Sequence, residues 1–457
     1  MKKTTSSIII ILILLLLAGC SGDNNQNNNL NLQLETNNKQ ENRSGTKLTI
    51  TNNPGYINSF SEDLAWAFFD EDSRTLLGCF DKTGKIVYKT YDSIVAAGAV
   101  QGYSEGYCYI FSSSGLKQIN GRYIYDNQRI AVIDKNGNVL GSYQYYNKEK
   151  DKFEEYSKNS ELCVAYGGGC VVIQKHVADF DSNHYEYTIY DENKNILTTE
   201  TYDKSPTVRY LGKGVFAFSQ YDNTKYYFKL SGKWIDFDYY DDISFDCDYQ
   251  VYSHNSEHVN VVDIQGNKQE IDLSDYFEYI KGVSNIHDNK FIVTSGSKEY
   301  GNFELGVYDM SSHTLKKLNK YLDKIDEEKA IKLSYVDDRL ILNLKGSDGD
   351  NYFALLDENL NTIIEPTKVN SIPEINSGRF IWGDNVCDLD GNVVFSISSK
   401  FTSIETVAYA YIDGCLRIGR EEGGIECVDY IDVDGNLLFE IKDRVFYDSQ
   451  SKVISLK

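Results

Sequence analysis

Phe80-Asp81-Lys82-Thr83-Gly84-Lys85-Ile86 reads as a β-hairpin turn. An apolar strand ends, an Asp bonds the backbone, a Gly supplies positive φ, and an apolar strand restarts. The phrase returns as Ile133-Asp134-Lys135-Asn136-Gly137-Asn138-Val139, as Cys387-Asp388-Leu389-Asp390-Gly391-Asn392-Val393 and as Ile431-Asp432-Val433-Asp434-Gly435-Asn436-Leu437. Degenerate copies stand at Leu230-Ser231-Gly232-Lys233 and Asp357-Glu358-Asn359-Leu360. An apolar strand runs ahead of each hairpin, beginning at Leu64, Tyr107, Cys170, Val215, Phe291, Leu340, Phe380 and Leu416, with a weaker copy near Val251. Cys170-Val171-Val172-Ile173, Val215-Phe216-Ala217-Phe218 and Leu340-Ile341-Leu342 are continuous, which predicts strands buried on both faces. A third cue, Tyr91-Asp92-Ser93-Ile94, is echoed at Tyr240-Asp241-Asp242-Ile243 and Phe401-Thr402-Ser403-Ile404.

Eight steps from Leu64 to Leu416 cover 352 residues, a mean of 44. A lead-in, the apolar strand and two hairpin arms make four strands per unit, and that period is the blade period of a β-propeller. The expectation is an all-β propeller over residues 47–457, of eight blades within a range of seven to nine. Nine units can be counted, so one is expected to be split or used for closure. The terminal hairpin from Phe446-Tyr447-Asp448 to Ile454 is expected to pair with Lys47 to Ile50 and hide exposed sheet edges. Composition agrees: 36 Tyr and 21 Phe suit strands, and 4 Pro rarely interrupt them. The best helix candidate, Tyr321 to Leu333, is charged and reads as one or two turns in a loop.

The N-terminus predicts location. Lys2 and Lys3 precede the apolar run Ile8 to Leu17, and Leu17-Ala18-Gly19-Cys20 closes it with small residues before a cysteine. Ten residues rise only about 15 Å in a helix, against a hydrocarbon core of about 30 Å, so the segment reads as a cleaved export signal. Leu17-Ala18-Gly19-Cys20 resembles the bacterial lipobox, which implies cleavage after residue 19 and lipidation of Cys20, a palmitate-bearing anchor on the extracytoplasmic face of the cell membrane. Residues 20–46 are rich in Asn and Gln, too poor in apolar surface to offset their ordering entropy, and read as a flexible tether.

Several clusters invite a chemical reading. Asp388, Asp390, Asp432 and Asp434 suggest calcium loops, but Gly391 and Gly435 are fourth when counted from Asp388 and Asp432, where an EF-hand loop places its Gly sixth and a bidentate Glu twelfth. A hairpin turn explains them better. His254 and His258 have two-ligand helical spacing but fall between strands, and no Glu follows His254. Glu421, Glu422 and Glu426 near Arg417 and Arg420 come closest to a catalytic constellation. Eight cysteines remain after Cys20; no Cys-x-x-Cys occurs, and most lie in apolar strand runs as buried thiols. Cys163 with Cys170 and Cys415 with Cys427 are the pairs to examine for disulfides. No cofactor motif is present in this reading.

The chain carries a formal charge of −22, which makes nucleic acid and anionic lipid surfaces poor partners. Two loops escape the repeat: Tyr145 to Ser160, and Ser274 to Asn285 with Tyr276, Phe277 and Tyr279. Exposed aromatics give contact area at little entropic cost, so Tyr276, Phe277 and Tyr279 are the expected binding residues.

Phe60-Ser61-Glu62-Asp63-Leu64-Ala65 and Tyr103-Ser104-Glu105-Gly106-Tyr107 resemble the phrase that opens bacterial WG repeats. Leu77-Gly78-Cys79-Phe80-Asp81-Lys82-Thr83-Gly84-Lys85-Ile86-Val87, running into Tyr91-Asp92-Ser93-Ile94, is similar to the rest of that unit. The likeness is good over residues 58–145 and fainter beyond, and Leu77-Gly78 stands where the family has Trp-Gly. The resemblance implies a repeat scaffold with a generic interaction role and no shared catalytic residues. The expected function is a monomeric, membrane-tethered, non-catalytic surface that binds an envelope protein or glycan; the alternative is a propeller enzyme acting on extracellular polysaccharide.

Overall fold

Strands that are apolar on both faces need a sheet on either side, and the chain supplies a succession of small antiparallel sheets. In the computed structural model the described residues are 46–456, apart from 51–58, 73, 93, 95–99, 114, 120, 121, 127, 146–160, 180, 181, 221, 222, 238–244, 246, 254–257, 285, 296–303, 319–331, 337, 347, 348, 449 and 450. The export signal, Cys20, most of the Asn-rich tether, the run after Tyr145 and the helix candidate from Tyr321 as far as residue 331 fall outside them, as does His254; the candidate's last two residues, Lys332 and Leu333, are in a strand. Ser44–Lys457 forms one compact unit.

The first sheet is a meander of Thr46–Ile50, Leu64–Glu71, Arg74–Asp81 and Ile86–Thr90. The second joins Tyr107–Ser112, Arg129–Asp134 and Val139–Gln144, with Ile94 and Val100 bridging its first edge and a separate hairpin, Gly115–Ile119 with Arg122–Asp126, inserted before its second strand. The third is Glu161–Gly167, Cys170–Asp179, Ser182–Tyr190 and Ile196–Tyr202. Thr207–Gly212, Val215–Gln220, Asn223–Phe228 and Lys233–Phe237 form the fourth. The fifth has three described strands, Tyr249–Ser253, His258–Asp263 and Lys268–Asp272. Ile280–Val283, Lys290–Ser295, Glu304–Asp309 and Thr314–Lys317 make the sixth, and Lys332–Val336, Arg339–Lys345, Asn351–Leu356 and Thr362–Val369 the seventh. The eighth is Arg379–Trp382, Asn385–Asp388 and Val393–Ser396, followed by the one described α-helix, Ile397–Lys400. Ile404–Val407, Leu416–Glu422, Ile425–Ile431 and Leu437–Lys442 form the ninth four-stranded unit, which Val445–Asp448 joins edge to edge with the first, so that these two units are one hydrogen-bonded sheet of ten strands. Every apolar strand read from the sequence is present, each starting within two residues of its expected position.

Alternation explains the continuous apolar runs. Val171 packs with Ile130 and Val132 of the second sheet, while its neighbour Val172 packs with Phe216 and Phe218 of the fourth. Ile292 and Val293 divide in the same way between the seventh and fifth sheets. Such a cluster lies between each pair of consecutive sheets. A further cluster is shared by the ninth and first sheets: Tyr430, Phe439 and Ile441 of the one with Phe69, Leu76 and Phe80 of the other.

The C-terminal segment joins those two sheets covalently and by pairing. Val445–Asp448 pairs antiparallel with Thr46–Ile50, as expected, with Leu48 opposite Phe446, but the stretch to Ile454 is not a hairpin: its two strands pair with different edges of the first sheet rather than with each other. Lys452–Val453 then pairs parallel with the outer strand of the same sheet, at Tyr88 and Lys89. Both edges of the first sheet are thus covered by one short stretch. Lys89 lies between Asp448 (2.8 Å) and Glu71 (3.2 Å), with side chains 9% exposed at Lys89 and 6% at Asp448. Burial opposes the charge on Lys89, but hydrogen bonds to Asp448, Tyr91 and Glu71 outweigh it and hold the ammonium above its ordinary pKa.

Candidate binding face

An antiparallel meander places its first and third turns at one end of the sheet and its middle connection and exit at the other. The two ends of these sheets are built differently.

At the turn end, the first hairpins are two-residue turns with both central residues at positive φ, such as Glu62 (53°) and Asp63 (72°), Glu105 (55°) and Gly106 (86°), and Asp413 (51°) and Gly414 (75°). Their side chains reach the next sheet's turn. Asp63 N donates to Asp413 Oδ2 at 2.6 Å, Gly106 N to Glu62 Oε2 at 3.0 Å, and Gly414 N to Ser377 Oγ at 2.8 Å. Glu105 passes over Gly168, where a Cβ would stand 2.9 Å from its Oε2, and accepts from Lys213 N at 3.0 Å. Lys82 bridges Asp63 (2.6 Å) and Asp413 (3.3 Å), linking the ninth and first sheets.

The Asp-x-x-Gly turns occupy the same end. Asp432 Oδ1 accepts from the backbone N of Asp434 (2.9 Å) and Asn436 (2.8 Å), and its Oδ2 from Asn436 Nδ2 (3.0 Å). Asp388 repeats this with Asp390 and Asn392. Burial would raise both carboxyls, but the Asn392 and Asn436 hydrogen bonds prevail and hold them below the usual range. A basic residue of the neighbouring sheet grips the outside of the turn: Arg339 binds Leu389 O (3.3 Å) and Asp390 (2.8 Å), and Arg379 binds Val433 O (2.9 Å) and Asp434 (3.2 Å). Asp388, Asp390, Asp432 and Asp434 therefore already have protein partners, and their oxygens serve the turn.

At the other end the connections vary in length, from the two residues Gly423-Gly424 to the five of 346–350. A groove of about 410 Å³ lies here, between the end of the third sheet and the fourth. Thr201, Tyr202, Asp203 and Lys204 form one wall; Phe218, Gln220, Asn223 and Lys225 form the other. The Tyr202 ring stacks on Phe218 (centroids 6.0 Å apart, 5° between planes) and meets Tyr187 edge-on. Its hydroxyl is enclosed and has no hydrogen-bond partner among the described residues. Burial, with Glu200 and Asp236 nearby, pushes the phenol well above its ordinary pKa. The sequence carried a signal for this groove that the apolar run masked. Phe216, Phe218 and Gln220 share one strand face at period two, so Gln220 is a polar residue pointing where two aromatics are buried.

The aromatic loop does not present three exposed rings. Phe277 is 2% exposed and sits among Val251, Ile280 and Phe291, with Tyr276 packed against that cluster; Tyr279 is half-buried. The strong apolar flanks drew Phe277 into the boundary between the fifth and sixth sheets. His258 opens a strand with its ring 3.8 Å from Glu270 and 3.9 Å from Asp272. Glu422, Cys427 and Glu440 are the one described group with metal-ligating atoms mutually within 4.8 Å. Arg420 pairs with Glu440 and, at 2.7 Å, with Asp429, while Lys442 pairs with Glu422 at 2.9 Å, so the cluster's charge is already offset by cations. Arg444 similarly holds Glu426 (2.9 Å).

All eight cysteines from Cys79 to Cys427 are free, and seven of them are buried. Cys163 faces the second sheet and Cys170 the fourth, so the two thiols lie on opposite faces of one sheet. Burial pushes the Cys163 thiol up to about 12 and Cys170 to about 11.

No family profile matches the chain, and no curated protein is similar to it in sequence. Among solved structures, a computationally designed protein is similar over 80% of this chain and 91% of its own, at 14% identity and a TM-score of 0.29. A eukaryotic initiation factor is similar over 86% and 88%, at 10% identity and a TM-score of 0.34. An uncharacterized protein of Listeria monocytogenes is similar over 77% and 94%, at 11% identity and a TM-score of 0.32. Likenesses this weak carry no weight for fold or function. No helix among the described residues is long and apolar enough to cross a membrane.

Proposed function

We propose that residues 47–457 form a closed β-propeller of nine WG-like blades, one above the count of eight expected from the repeats, and that it is a non-catalytic binding surface. The apolar cluster shared by the ninth and first sheets, with the strand Val445–Asp448 paired to Thr46–Ile50, favours closure. A lipidated Cys20 and the Asn-rich tether would hold this body at the extracytoplasmic face of a bacterial membrane, where its partner is an envelope protein or glycan. The observation that carries the binding reading is the contrast between the two ends of the sheets. Side chains at the turn end are bonded from sheet to sheet, whereas the opposite end has unequal connections and the Tyr202 groove. Function belongs to loops set on a rigid scaffold. The alternative, a propeller hydrolase or lyase, draws no support from the ninth-sheet carboxylates, which are paired to Arg420, Lys442 and Arg444.

Two experiments test this reading. Mass spectrometry of the mature chain should find a lipid-modified Cys20 as the first residue, and Cys20→Ala should release the protein from membranes; an unmodified N-terminus elsewhere defeats the tether. Pull-down from intact envelopes should lose its captured material when Gln220 and Asn223 are replaced by Ala, and keep it when the turn-end residues Arg339 and Arg379 are replaced. The reverse pattern defeats the binding face.

A further inference from the structure

We infer that the groove between the third and fourth sheets is a subsite for a neutral, hydroxyl-rich saccharide unit, an assignment that rests on the binding-face reading above. The face of the fourth sheet that meets the third is aromatic through Phe216, Phe218 and Tyr227. It then turns polar: Lys225 pairs with Phe218 and Asn223 with Gln220, so all three polar side chains share the face of the buried aromatics. Polar residues on an inward face keep the sheets apart where apolar ones would have filled the gap. The opening is therefore specified by residue type. Gln220 Nε2 donates to Lys204 O across the groove, tying one wall to the other. Tyr202 is fixed on Phe218 and against Tyr187, so the aromatic wall is rigid before any ligand arrives.

The chemistry of the lining selects the ligand class. Asn223 and Gln220 each offer both a donor and an acceptor; Asp203 accepts; Lys204 and Lys225 donate. The two ammonium groups stand against three carboxylates: Asp203 in the lining, and Glu200 and Asp236, which lie close enough to act on the Tyr202 phenol. Interspersed charges of both signs present no single-sign field to hold a phosphate or an ammonium ligand, whereas sugar hydroxyls donate and accept at once and match the mixture. The Tyr202 ring supplies the apolar contact that the C–H edge of a pyranose prefers. A volume of about 410 Å³ lies within the range of small-molecule sites, and the groove is open enough for an oligomer to continue past it.

The test titrates the full-length chain with neutral hexasaccharides of glucose, mannose and N-acetylglucosamine, read by calorimetry and by ligand-observed NMR. At least one should bind saturably. Gln220→Ala with Asn223→Ala should weaken it about tenfold, the loss expected when two buried hydrogen bonds go, with an unchanged thermal midpoint showing the fold intact. Tyr202→Ala should abolish binding, and Tyr202→Phe, which keeps the ring, should bind within about twofold of the parent. Failure of all three saccharides to bind, or binding that ignores these substitutions, overturns the assignment. If saccharides fail while the Gln220/Asn223 variant still loses envelope protein from pull-downs, the ligand class is wrong and the binding face stands. If neither saccharide nor envelope capture responds to the variant, both readings fall.

Discussion

The turn end and the loop end of the same sheets contain many of the same residue types and use them in opposite ways. Asp432 at the turn end accepts three hydrogen bonds from its own hairpin and is backed by Arg379 gripping the next residues. Asp203 at the loop end lines an open groove. Charged residues therefore do not mark function in this chain. What marks it is whether the surrounding backbone has already claimed them.

The largest expected effect lies where the chain ends hold the scaffold together. Lys89→Ala leaves Asp448 buried beside an empty position and should cost about 3–5 kcal/mol, measured as a fall in the urea midpoint. A loss below about 1 kcal/mol would mean that the terminal strand is an ornament rather than a clasp. Next comes the turn itself. Asp432→Ala strands two backbone N–H groups and should cost about 1–2 kcal/mol, read the same way.

Acid sharpens the comparison. Asp448, Asp388, Asp432, Asp357 and Asp191 are all held below the ordinary value of 3.8, because hydrogen bonds from Lys89 or from turn Asn residues outweigh burial. A carboxyl depressed in the fold is protonated first in the unfolded chain. Its stabilisation is complete above pH 3.8 and is lost as pH falls through the folded value. Chemical-denaturation midpoints should be flat above about pH 5 and fall steeply below 3.8, with the Asp432→Ala variant falling less. The smallest effects belong to the loop end. Gln220→Ala with Asn223→Ala should move stability by no more than about 0.5 kcal/mol, and Tyr202→Phe should be neutral or stabilising because its hydroxyl has no partner to lose.

Much of the fold was legible because period and turn chemistry are local. Asp134, Gly137 and Asn138 announce their hairpin in sequence, and Val171-Val172 announces two covered faces. Pairing of Phe446 with Leu48 could be anticipated because an open sheet edge must be hidden. The site was less legible. Tyr276, Phe277 and Tyr279 looked like a loop in sequence, but Phe277 answered to apolar neighbours contributed by two sheets, which no local pattern records. The Tyr202 groove needs residues some twenty positions apart on separate sheets, and only the strand register brings Gln220 and Lys225 onto one face. Cys163 and Cys170 show the same limit: seven residues apart, they lie on opposite sides of a sheet.

Hydrogen–deuterium exchange of the mature chain, with and without envelope material, tests the division most directly. The account predicts that binding slows exchange in peptides covering 201–204 and 218–225 and leaves those around Gly84, Gly137, Gly391 and Gly435 unchanged. New protection confined to the Asp-x-x-Gly turns, with none at 201–204 or 218–225, would contradict it.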